Sequence, residues 1–150
     1  MPDDKQALLD HYRQTREDLL AAIAGLTDAR MTERSLDGWS VKDHLAHLAT
    51  WDDIRAAEVE RISAGHESAW HTTQDQGDAY NVISYDLRRD LSPAQVRWEL
   101  ETSRQRLLAA ITAATPRGLD ASLYGDAGLS SGHEAQHTNW IKRWRQEKGG

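Results

Sequence analysis

The chain has 150 residues, a formal net charge of −6 and no cysteine. That is enough length for one domain over residues 1–150 with a continuous core, and it excludes a disulfide framework, a thiolate metal site and a thiol nucleophile. The acidic balance argues against a nucleic-acid partner, and no apolar run approaches the roughly 20 residues of a membrane span.

Met1-Pro2-Asp3-Asp4 is acidic where an export signal would be basic, so a cytoplasmic protein with no membrane partner is expected. Residues 3–24 form the first predicted helix. Leu8, Leu9, Tyr12, Leu19, Leu20 and Ile23 make its apolar stripe, and Gly25 lies just past its end. His11 falls beside the stripe and reads as a surface residue. Residues 25–38 are a polar connector closed by Asp37-Gly38.

A second helix is expected over 40–64, with Ser40 as N-cap and Asp43 in the first turn, where its charge suits the helix dipole. Val41, Leu45, Leu48, Val59 and Ile62 give its core face. His47, Trp51 and Ile54 widen that face to nearly half the circumference, which implies two neighbours. Residues 65–91 show no sustained pattern, and Asn81-Val82-Ile83-Ser84-Tyr85 reads as a short strand or a helical turn. A connection of that length is a crossover or a functional loop. His66 and His71 within it have no spacing partner and are expected to be exposed.

Ser92-Pro93-Ala94-Gln95 opens a third helix over 92–115, with Ser92 as cap, proline at the first helical position and Gln95 as the capping-box partner. Val96, Leu100, Ser103, Leu107 and Ile111 trace its core stripe. Residues 116–130 are a loop containing Gly and Asp, and the fourth helix covers 131–147. Its cations Lys142, Arg143, Arg145 and Lys148 suit the negative end of the dipole. The architecture expected is therefore all-α, a four-helix bundle with a long crossover connection between the second and third helices.

The fourth helix carries the chemistry. His133, His137, Trp140, Ile141 and Trp144 share one face at a 3.6-residue period. Two imidazoles one turn apart, with Cβ atoms about 5–6 Å from each other, can bind one metal ion. They can equally be core-edge histidines bonded to backbone or water. Ser131 and Glu134 have the spacing of a capping box, a role glutamine at 134 would preserve. His133-Glu134-Ala135-Gln136-His137 also spells H-E-x-x-H, the zinc-peptidase signature with Glu134 as general base. The extended form of that motif needs Gly at 140 and His at 143, which here are Trp140 and Arg143, and only 13 residues follow His137. Phenylalanine is absent while tryptophan occurs six times, and Trp39, Trp51, Trp140 and Trp144 flank the histidines as candidate pocket walls or ordinary core rings.

The stretch Trp39-Ser40-Val41-Lys42-Asp43-His44-Leu45-Ala46-His47-Leu48-Ala49-Thr50-Trp51-Asp52, taken with the histidine pair on the last helix, resembles the DinB-like superfamily. Its members are metal-binding four-helix bundles, among them colibactin self-protection and thiol-dependent transferase proteins. The resemblance implies three metal ligands, His47 from the first motif and His133 and His137 from the second, with His44 as the competitor for the His47 role and otherwise structural or a support to the ligands. Three imidazoles suit zinc or nickel and leave positions open. The resemblance further implies a small-molecule substrate, with a low-molecular-weight thiol as possible cofactor for a transferase, or hydrolysis of a small electrophile. A non-catalytic bundle that binds or sequesters a small molecule is the alternative, and an H-E-x-x-H metallohydrolase a further one. Asp52, Tyr80 and Tyr124 are conceivable proton donors. A homodimer is expected from the resemblance and from wide apolar faces that include Trp98, which lies outside the third helix's core stripe; otherwise Trp98 packs under the 65–91 connection.

Overall fold

A computed structural model describes residues 2–71 and 73–149, which form six α-helices, two 3-10 turns and no strand among the described residues. The helices are α1 (Pro2–Ile23), α2 (Asp28–Thr32), α3 (Val41–Ser63), α4 (Gln74–Arg88), α5 (Pro93–Thr112) and α6 (His133–Lys148). None is long and apolar enough to cross a membrane. α3 is the hub. It packs along α5 for most of its length and touches α2, α4 and α6, while α1 closes the other side against α5 and α6.

The caps explain most boundaries. Ser40 Oγ accepts from the Asp43 amide at 3.1 Å and the Asp43 carboxylate accepts from the Ser40 amide at 2.9 Å, a reciprocal box that starts α3. Ser92 Oγ accepts from the Gln95 amide at 3.1 Å, with Pro93 at the first position of α5, but only this half of the expected box forms. Leu36 and Trp39 exchange both backbone hydrogen bonds at 3.1 Å around Asp37 and Gly38, whose φ values are 55° and 86°. Two consecutive positive φ angles are the mark of a tight type I′ hairpin turn, which Asp-Gly accommodates. This turn sets Trp39 over α3.

Two expectations need correction. The 65–91 segment is not irregular: α4 occupies its second half, started by a capping box between Thr73 and Gln76. Its inner face carries Tyr80, Asn81, Ser84 and Tyr85, while Val82, Ile83 and Leu87 are 60%, 59% and 72% exposed. With its apolar residues turned outward, the helix does not look like a core helix in sequence. Nor do Ser131 and Glu134 cap α6. The cap position is Gly132, with no side-chain bond, and helix begins at His133. Glu134 is only 6% exposed and its carboxylate is taken by two arginines instead.

Those arginines belong to a charged layer that divides the core. One apolar cluster joins Leu19, Ile23, Leu45, Leu100 and Ile141, and the other joins Leu9, Tyr12, Val59, Leu107 and Ile111. Between them α1, α3, α5 and α6 contribute Arg16, Asp52, Arg104 and Glu134, and Arg55 of α3 stands 4.0 Å from Asp52 at the edge of the set. Arg16 Nη2 donates to Asp52 Oδ2 and to Glu134 Oε1, both at 3.0 Å. Arg104 donates to both Asp52 oxygens at 3.0 and 3.1 Å and to Glu134 Oε1 at 2.7 Å. Buried charges are tolerable only when paired and hydrogen-bonded in this way.

Candidate metal centre

His47 on α3 and His133 and His137 on α6 meet directly above the charged layer. His133 Nε2 lies 3.0 Å from His47 Nε2 and 3.0 Å from His137 Nε2, and one ligand nitrogen from each residue falls within 4.8 Å of the others. A neutral imidazole nitrogen carries either one proton or one lone pair, so the Nε2 of His133 cannot make a good hydrogen bond to both of its neighbours at once. A cation accepting all three lone pairs removes that conflict. The spacing also fits: nitrogens about 2.0–2.1 Å from a common zinc ion stand about 3.0 Å apart when they subtend roughly 95°.

The environment keeps these rings uncharged. Burial, helped by the neighbouring imidazoles, pulls His47 down to about 3 from the usual 6.5 and holds His137 far below its ordinary value. Burial and the Arg55 guanidinium bring His133 to about 4. His44, one turn before His47 on α3, is only 5% exposed and is likewise lowered to about 4 by burial. Neutral imidazole is the form that ligates metal. Because these folded values lie below 6.5, the unfolded chain binds more protons from about pH 6.5 down to about pH 4. The metal-free protein should therefore lose stability as pH falls through that window, by up to about 1.4 kcal/mol per pH unit for each histidine. Chemical denaturation at pH 7 and pH 5 measures this, and equal midpoints would contradict it.

A cavity of about 370 Å³ opens on the nitrogen cluster, with Leu36, Trp39 and Trp140 as apolar walls and Asp37, Asn81 and Gln136 as polar lining. Trp39 stands edge-on to His44 and His47 with ring centroids 5.1 and 5.4 Å apart, and stacks on Tyr85 of α4. Trp140 packs on His137 at 4.9 Å, and Trp51 donates its indole N–H to Asn81 Oδ1 at 3.1 Å. Of the four tryptophans expected to flank the histidines, Trp144 does not. It lies in the core, bonded to Ser35 Oγ at 2.6 Å with the Arg30 guanidinium 4.6 Å from its ring.

A further aromatic comes from the loop before α4. Glu58, wholly buried on α3, accepts from Ser68 Oγ, from Arg61 and from the Ala69 amide. These bonds fix the loop so that Trp70 meets Trp51 at 5.3 Å and Tyr80 at 5.1 Å. His66 and His71 are exposed, as expected. His11 is less exposed than expected, its Nε2 lying 3.1 Å from the Ser131 carbonyl.

The conceivable proton donors are otherwise engaged. Asp52 is held by Arg16 and Arg104, the Tyr124 hydroxyl donates to the Gly118 carbonyl, and Tyr80 lies in the aromatic cluster. The carboxylate of Glu134 is likewise bound by Arg16 and Arg104 rather than free beside the histidines. A larger groove of about 610 Å³ between α1 and α5 is floored by those two arginines, whose hydrogen bonds are already directed at the charged layer.

The all-helical frame is shared with known proteins. The DinB superfamily model matches residues 11–141, and the chain belongs to that family. An uncharacterised protein from Escherichia coli UTI89 shares the fold with a TM-score of 0.79 at 16% identity, the match covering 97% of this chain and 94% of that one. A mycothiol-dependent maleylpyruvate isomerase is similar with a TM-score of 0.62 at 17% identity, over 91% of this chain but 57% of its own. No curated protein matches the sequence.

Proposed function

We propose that the protein is a divalent-metal-dependent enzyme that acts on a small molecule with the help of a low-molecular-weight thiol, in detoxification or self-protection. The observation that carries this reading is the convergence of three Nε2 atoms, from His47, His133 and His137, at the floor of an open cavity. These three residues would hold zinc or nickel, the ions suited to an all-imidazole set. An ion bound there supplies Lewis acidity toward a thiolate or a substrate oxygen, since three protein ligands leave positions open. Trp39 and Trp140 would clasp the apolar part of a substrate, and Asn81 and Gln136 would orient its polar groups.

Hydrolysis assisted by a carboxylate base is disfavoured because Asp52 and Glu134 are tied to arginines and neither is free to accept a proton from water. The same fact removes the support for an H-E-x-x-H metallohydrolase. The likeness to a mycothiol-dependent isomerase makes mycothiol the first thiol to try. The metal-loaded protein should consume a small electrophile only when both metal and thiol are present, and His47→Ala should abolish this. Tight one-to-one binding without turnover would instead support the sequestering alternative, which the aromatic walls would also serve.

We further propose that α1, α3, α5 and α6 act as a four-helix bundle in which the segment holding α4 is the crossover. The expected homodimer would use the apolar side chains left bare, Val82, Ile83, Leu87 and Trp98, the last 64% exposed rather than packed under α4. A monomeric mass by light scattering would reject the dimer.

A further inference from the structure

His44 makes the shortest contact in the histidine cluster. Its Nδ1 lies 2.6 Å from Nδ1 of His137, so one of the two atoms carries a proton and the other accepts it. The choice sets what His137 offers on its other nitrogen. If His137 donates from Nδ1, its Nε2 presents a lone pair toward His133 and the centre of the cluster. If His44 donates, His137 keeps its proton on Nε2, aimed at that centre, and cannot ligate from it. The His44 ring is held in place by edge contacts with Trp39 at 5.1 Å and Trp140 at 6.2 Å. Its own Nε2 is buried without any hydrogen-bond partner. A histidine kept for packing alone would gain nothing from that arrangement, because phenylalanine fills similar space without a stranded polar atom.

We infer that His44 is a positioning residue for the metal site, accepting the Nδ1–H of His137 and so fixing His137 as an Nε2 ligand. This rests on the reading of His47, His133 and His137 as metal ligands. His44 does not itself join the ion: its Nδ1 is occupied by His137, and it falls outside the set of three residues whose ligand nitrogens lie within 4.8 Å of one another. Outer partners of this kind orient ligating histidines and typically change metal affinity about 10–100-fold when removed.

Chelator competition on the full chain, loaded with zinc, tests the inference with two variants. His44→Phe should lower zinc affinity about 10–100-fold while one ion per chain still binds at saturation. The thermal midpoint of the metal-free His44→Phe protein should be little changed, since the stranded His44 nitrogen is gone while the His137 Nδ1–H loses its acceptor. His44→Asn, whose side-chain oxygen can accept from His137 Nδ1, should recover most of the affinity. Unchanged affinity in His44→Phe would overturn the inference, and loss of the ion altogether would make His44 a ligand. Should the unaltered protein bind no zinc, the metal reading fails by itself. The tautomer assignment is still decided by nitrogen-15 resonances of the imidazoles: a proton on His137 Nδ1 supports it, and a proton on Nε2 overturns it.

Discussion

Replacing Glu134 by glutamine is expected to destabilise the protein by about 3–5 kcal/mol, lowering its thermal midpoint by on the order of 10 °C. The loss is large because Glu134 holds both Arg16 and Arg104 in a layer where the four side chains are 2–10% exposed. Glutamine keeps the shape but not the charge, leaving Arg16 and Arg104 with Asp52 as the one carboxylate they still share. Had Glu134 capped the helix, the same change would have been nearly silent. Had it served as the base of a peptidase-like site, activity would fall at unchanged stability. Denaturant unfolding of the metal-free variant separates the three outcomes, and a midpoint equal to that of the unaltered protein would contradict the structural role assigned here.

Zinc should stabilise the metal-free protein strongly, by about 4 kcal/mol when free ion stands about 1,000-fold above its dissociation constant. An ion that binds only the folded chain shifts the equilibrium by mass action, and the three nitrogens come from two helices far apart in sequence. The stabilisation should vanish in His137→Ala, which removes the most buried of the three rings, 4% exposed. His66 is exposed just past the end of α3, and its replacement should leave the zinc effect intact. Thermal unfolding with and without added zinc measures both, and an undiminished shift in His137→Ala would remove that residue from the site.

Much of the helical frame was legible because the stripes on α1, α3, α5 and α6 follow a 3.6-residue period and the Ser40 and Ser92 caps mark two starts. The three histidines could be singled out by motif and resemblance together. The charged layer was missed, although its signal is present. Arg16, Asp52, Arg104 and Glu134 each sit in register on an otherwise apolar stripe, as between Tyr12 and Leu19 on α1, and two acids face two arginines. Read one helix at a time, each looks like a boundary residue; only the set of four shows that they neutralise one another. α4 was missed for a different reason. Its Thr73-x-x-Gln76 start was visible, but its apolar residues face outward and its inner face is built for the cavity, so the usual pattern of a packed helix is inverted. Trp70 depends on Glu58 gripping a loop ten residues further on, a contact no local pattern announces. The hydrogen bond between His44 and His137 joins residues 93 positions apart and is likewise a product of the fold.

The most direct measurement is the metal content of the purified protein and of its single histidine variants by elemental analysis after saturation and desalting. One zinc or nickel ion per chain is expected in the unaltered protein, and a sharp drop in His47→Ala, His133→Ala and His137→Ala alike. Full retention of metal in His47→Ala would contradict a site shared between α3 and α6.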